Sequence, residues 1–162
     1  MILRSTLKLS QKLKIKSFQA YENKVSAFEE WYGHLFAVNR IQYILFTNAY
    51  SLFSIILPGK GINNISTFID STNYWLSEVL REEGCENMVG RFITNNDGTI
   101  DVCKTNNRGI LGSMNDMIFN SKFYLSEYQL TSLEISKRLN KIPYGYLQYK
   151  NPLGVIKQMA LS

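Results

Sequence analysis

Trp31–Pro58 decides the fold: W-Y-G-H-L-F-A-V-N-R-I-Q-Y-I-L-F-T-N-A-Y-S-L-F-S-I-I-L-P, rich in β-branched and aromatic residues, with turn signals at Asn39-Arg40 and Thr47-Asn48. Residues of these types fit a pleated, half-buried surface. They predict three consecutive strands in a meander, at about 32–38, 41–47 and 51–57. No residue between Ile41 and Gly59 is charged, and about 20 apolar residues cross a bilayer, so a membrane span is the alternative. Gln42, Thr47, Asn48, Ser51 and Ser54 interrupt the run, with Asn48 near its centre, and such polar positions oppose insertion. The strands are preferred and no membrane partner is expected.

Upstream, Met1–Thr6 reads as a short opening strand, and Thr6 is placed to cap a helical segment through Leu7, Leu9 and Leu13. Residues 17–30 read as a loop or short helix. Downstream, Pro58-Gly59-Lys60-Gly61 ends the meander. Asn63 or Asn64 then caps an amphipathic helix whose stripe is Ile65, Phe68, Ile69, Trp75 or Leu76, Val79 and Leu80, ending at Glu83-Gly84. A short helix from Glu86, a turn at Asn95-Asn96-Asp97-Gly98 and a strand at Thr99–Thr105 follow; the alternative is a hairpin with residues 91–94 as its first strand. Ile110, Leu111, Met114, Met117, Ile118 and Leu125 predict a helix over about 108–127. Thr131-Ser132-Leu133-Glu134 is a capping box for a helix that Pro143 ends, and Asn151-Pro152 starts a last one. The expectation is α+β: an antiparallel sheet, the meander 32–57 plus strands near 1–6 and 99–105, with four to six helices packed on one face.

With 162 residues, 45% of them hydrophobic and 13% aromatic, the chain reads as one globular domain, 1–162. It is long enough to bury a core without a metal or disulfide. Cys85, Cys103 and the lone His34 cannot together complete an ordinary structural zinc site, so no metal or cofactor is expected. The basic N-terminus is followed by no apolar segment of a secretory signal, so a cytoplasmic setting with reduced thiols is expected.

The net charge is +5 and the sequence pI about 9.2. Arg4, Lys8, Lys12, Lys14 and Lys16 stand near one end, and Lys137, Arg138 and Lys141 near the other. Should the two groups meet, they form one basic face suited to phosphates or an acidic partner; the alternative is an ordinary solvated surface.

The polar stretch Lys104–Asp116 (K-T-N-N-R-G-I-L-G-S-M-N-D) lies where a strand hands over to a helix. Lys104, Asn107, Arg108, Ser113, Asn115 and Asp116 are its binding candidates, because free N–H groups at a helix start beside cations suit a phosphate or carboxylate. The competing reading is a capping network in which Arg108 pairs with Asp116 or a carbonyl. His34 and Asp116 are the catalytic candidates, yet no nucleophile stands near His34 in sequence, and a lone histidine among apolar neighbours first reads as packed. Asp97, Asp101 and Lys104 resemble a metal-nuclease trio, but Asp101 and Lys104, three apart on a strand, face opposite sides.

The chain resembles an uncharacterised bacterial family of small domains of unknown function, some of them on plasmids and other mobile elements. The likeness rests on W-x-x-x-L-F at Trp31, Leu35 and Phe36, L-F-T-N at Leu45–Asn48, Lys104–Asp116, and R-L-N-x-I-P at Arg138–Pro143. His34 and Gly109 depart from its pattern. The resemblance brings no activity; it implies a bacterial or phage origin and a role in conflict between mobile elements and hosts. The leading expectation is a non-enzymatic protein that binds nucleic acid or a nucleoprotein. The alternatives are a toxin-like nuclease or nucleotide-acting enzyme, and an inhibitor or antitoxin-like module with a protein partner.

Overall fold

A computed structural model describes residues 1–20, 26–92 and 100–161. The meander is present, as β2 (Glu30–Val38), β3 (Ile41–Asn48) and β4 (Ser54–Pro58), paired antiparallel in sequence order. Asn39 and Arg40 both have positive φ, 50° and 68°, the backbone of a tight two-residue hairpin that matches strand twist. The third strand starts later than the sequence suggests. Asn48, fully buried, accepts from the Tyr50 and Ser51 N–H groups and the Ser51 hydroxyl, and donates to the Phe28 carbonyl. That network holds residues 49–53 as a turn, with Leu52 at φ 56°.

The expectation of an antiparallel sheet needs correction. β1 (Ile2–Ser5) inserts parallel to both β2 and β5 (Asp101–Lys104), giving a mixed five-stranded sheet in the order β4-β3-β2-β1-β5. Helical segments separate these parallel strands in the chain, as a crossover connection requires.

Helices also lie on both faces rather than one. Ile44, Phe46, Ile55 and Leu57 point into one core with Leu9 of α1 (Leu7–Lys12), Phe68, Leu76 and Leu80 of α2 (Ile65–Glu82), and Phe92 of α3 (Val89–Phe92). Tyr32, Leu45 and Ile56 point into the other with Ile110, Met114 and Met117 of α4 (Arg108–Glu127) and Ile135 and Leu139 of α5 (Ser132–Leu139). Leu153 and Ile156 of α6 (Pro152–Ala160) join the first core. The cause is visible in the consecutive apolar residues Tyr43–Phe46 of β3 and Ile55–Leu57 of β4, which put apolar side chains on both faces, so both need cover.

The helix starts follow local chemistry. Asn64 and Thr67 form a reciprocal cap for α2, and Gly84 at φ 72° ends it. Thr131 and Glu134 close the capping box of α5, and Asn151 caps α6 ahead of Pro152. Thr6 does not act as expected: its hydroxyl makes no cap for α1 and is buried without a partner among the described residues. Residues 27–29 form a single 3₁₀ turn, and another at 86–88 leads into α3. The turn at Asn95–Gly98 and the residues 93–94 of the alternative hairpin lie outside the described residues.

The two outer strands are covered differently. On β4, helix α5 stands in for a further strand: the Ser136 hydroxyl accepts from the Ile56 N–H at 2.9 Å, while Asn140 accepts from Ser54 N–H and donates to its carbonyl, both at 2.8 Å. On β5, the Gln19 N–H donates to the Val102 carbonyl at 2.8 Å.

Candidate functional site

β5 and α4 meet where the sequence places its polar stretch. Asn107 starts α4 by accepting from the Ile110 N–H at 3.1 Å, and its amide donates to the Tyr146 hydroxyl at 3.3 Å. Asn106 accepts from the Tyr32 hydroxyl at 2.6 Å. Burial, reinforced by the Glu30 charge, pushes the Tyr32 phenol above its ordinary pKa, so it stays a donor. Gly109 sits against the Tyr146 ring, where an added Cβ would come within 2.9 Å of a ring carbon.

The predicted residues do not converge. Arg108 and Asp116 are both exposed, and neither has a hydrogen bond or ion pair among the described residues, which overturns their expected pairing. They stand eight residues apart on α4, about 12 Å at 1.5 Å per residue. Ser113 bonds back to the Gly109 carbonyl, and Asn115 faces solvent. Asp116 lines a separate depression of about 310 Å³ with Asn120 and the buried Tyr144. Burial, and Asp116 beside it, push the Tyr144 phenol well above its ordinary range; its hydroxyl donates to the Leu139 carbonyl.

Lys104 belongs to a different grouping. Its ammonium lies 5.8 Å from the Phe18 ring centre, on the rim of an open pocket of about 430 Å³ lined by Arg4, Gln19, Thr105 and Asn106 as well. Arg4 is buried at the pocket floor, donating to the Lys104 carbonyl at 3.1 Å and to Glu30 at 3.2 Å. Its Nε is buried with no hydrogen-bond partner. A buried donor left without a partner among the described residues is a cost that the fold carries at this place. Sequence reasoning placed Arg4 on a solvated basic face; the signal it missed was a lone cation inside an apolar four-residue strand, I-L-R-S.

Most cations of the expected basic face have partners within the chain. Arg4 pairs with Glu30, Lys137 with Glu82 at 3.4 Å, and Lys141 with Glu83 at 3.5 Å, while Lys12 bonds Gln42 and Arg138 lies over the Tyr124 ring. Glu82 at the end of α2 and Glu83 just after it thus meet Lys137 of α5 and Lys141 beyond it. Lys8, Lys14 and Lys16 are exposed.

His34 lies on the same face of β2 as Tyr32 and Phe36, toward α4, and its Nδ1 is buried. Burial lowers its pKa below 6.5, and Lys8 and Lys122 add to the effect. The unfolded chain therefore takes up the proton first. Stability is complete above the ordinary histidine pKa and declines as pH falls toward the lowered folded-state value. Urea midpoints measured between about pH 7 and about pH 5 should fall for the natural chain and stay flatter for His34→Gln. Equal pH dependence in both would contradict this.

Asp97 of the nuclease-like trio lies outside the described residues, and Asp101 and Lys104 face opposite sides of β5, in register with Ile2 and Ser5. Among the described residues no three His, Cys, Asp or Glu side chains gather as a metal site, and no helix is long and apolar enough to cross a membrane. Residues 41–58 are instead β3 and β4. A family model described as Domain of unknown function (DUF6933) matches residues 2–154. Neither the curated proteins nor the solved structures provide a match.

Proposed function

Because the chain belongs to the DUF6933 family, a domain of unknown function, we propose a function from its geometry alone: a small basic binding module, not an enzyme, that holds nucleic-acid phosphates in the pocket between β1, β5 and the start of α4. One observation carries this reading. Lys104, exposed and without a carboxylate partner among the described residues, stands at a pocket that the Arg4 side chain also lines, so two cations border one opening. The Thr105 and Asn106 side chains add polar lining, and Phe18 supplies an aromatic face beside the cation, a pairing that suits a sugar–phosphate strand with a base against the ring. The surplus of five positive charges favours the approach of a polyanion.

Binding of single-stranded RNA and DNA across a salt series tests the proposal. Affinity should fall linearly with salt on logarithmic axes, and Lys104→Ala should weaken binding to all sequences and reduce the salt slope by about one. The melting temperature of Lys104→Ala should stay unchanged, since its ammonium holds no internal ion pair. Absence of binding at low salt would sink the proposal. Binding that ignores Lys104→Ala would place the nucleic acid elsewhere on the surface.

A further inference from the structure

Helix α4 turns an unusual surface to solvent. Phe119 is 76% exposed and Phe123 49% exposed, on the same side as Arg108, Gly112 and Asn115. Gly112 has no internal reason to be glycine: no atom lies within 4 Å of where its Cβ would stand, and glycine weakens a helix interior. The end charges are also reversed. α4 carries no acid in its first turn and no base in its last, but begins with Arg108 and ends with Glu127, each opposing the helix dipole. A glycine notch, the exposed Phe119 ring, the half-exposed Phe123 ring with only Tyr124 and Tyr128 beside it, and inverted end charges are all accounted for by a neighbouring helix running the other way.

We propose that this face pairs with the same face of a second copy of the chain, the two α4 helices antiparallel about a two-fold axis between Asn115 and Asp116. In that register Phe119 seats in the notch at the partner's Gly112, seven residues away on each helix. Phe123 comes against the partner's Arg108, a cation over an aromatic ring. Glu127 lies just beyond the partner's first turn, beside that arginine and the free N–H groups of the helix start, so each end charge meets the opposite dipole end. Such an interface is self-complementary, as two-fold symmetry requires. Asp116 flanks the axis and faces its own copy, a like-charge contact that keeps the pair weak. One helix against one helix is also smaller than a standard stable interface, so association depends on concentration.

Sedimentation equilibrium across the micromolar to millimolar range is the test. The mass should rise from 18.7 kDa toward twice that value. Gly112→Leu, which fills the notch, and Phe119→Asp should each hold the chain at monomer mass with unchanged circular dichroism. Asp116→Asn should tighten association several-fold, a gain that a merely structural role for Asp116 would not produce. A natural chain that stays monomeric at millimolar concentration overturns the proposal, as does a dimer indifferent to both Gly112→Leu and Phe119→Asp. A monomer whose Phe119→Asp variant instead loses nucleic-acid binding assigns the face to the nucleic acid and likewise overturns it. These outcomes are independent of Lys104→Ala, so the pair and the pocket stand or fall separately.

Discussion

Trp31→Ala should lower the unfolding free energy by about 3–5 kcal/mol, the usual cost of emptying a large aromatic site in a packed core. Trp31 is 1% exposed and stacks on Phe46 with ring centres 4.4 Å apart, while Phe92 meets its edge at 5.2 Å. Phe92 in turn stacks on Phe28 and Phe53. These rings come from β2, β3, α3 and the turns before β2 and β4, so no single element can slide into the space without dragging its own ladder or helix with it. Collapse is therefore incomplete and a cavity remains. Urea denaturation followed by circular dichroism measures the loss, and Trp31→Phe should recover part of it. A cost below about 1 kcal/mol would show that the cluster repacks freely.

Asn140→Ala should cost about 2–4 kcal/mol for a different reason. Asn140 is fully buried and holds three bonds: from Ser54 N–H, to the Ser54 carbonyl, and to the Ser136 carbonyl. Its removal strands both backbone groups of Ser54 inside the protein, where water cannot replace the amide. Ser136→Ala, which unpairs only the Ile56 N–H, should cost about 1–2 kcal/mol. Amide exchange separates this mechanism from general loosening: the Ser54 amide should lose protection first in Asn140→Ala, and the Ile56 amide in Ser136→Ala. Uniform loss across the sheet would refute the edge-pairing role.

What could be read from the sequence follows a boundary between local and distant chemistry. The Thr131–Glu134 box, the Asn151-Pro152 start and the full span of α4 were legible because their partners lie within four residues. The Asn39-Arg40 hairpin was legible for the same reason. The parallel seat of β1 was not: four residues, all buried, carry no alternation and so no preference for direction or neighbour. Cover on both faces was written into the consecutive apolar residues 43–46 of β3 and 55–57 of β4, but a short run of that kind does not say what covers it.

The candidate site divides along the same line. Residue types in the shared motifs suggested ligand chemistry, yet Asn48, Asn107 and Asn140 hold a turn, a helix start and a sheet edge, and the exposed Asn106 accepts from the Tyr32 hydroxyl. Asparagine carries both donor and acceptor, so only its distant partners reveal whether it binds something else. Arg108 and Lys104 have no acidic partner among the described residues.

The place of β1 between β2 and β5 has a consequence for how the chain is made. On the ribosome β1 leaves before the other strands, but its outer neighbour follows a hundred residues later, the separation between Arg4 and Lys104. The nascent chain can close the meander and add β1 to it while one flank of β1 still has no strand to bond. Contacts that far apart in sequence form late and slow the last step of folding. When β5 arrives, the Arg4 guanidinium can reach the Lys104 carbonyl, so the same arginine that floors the pocket fastens the final strand of the sheet.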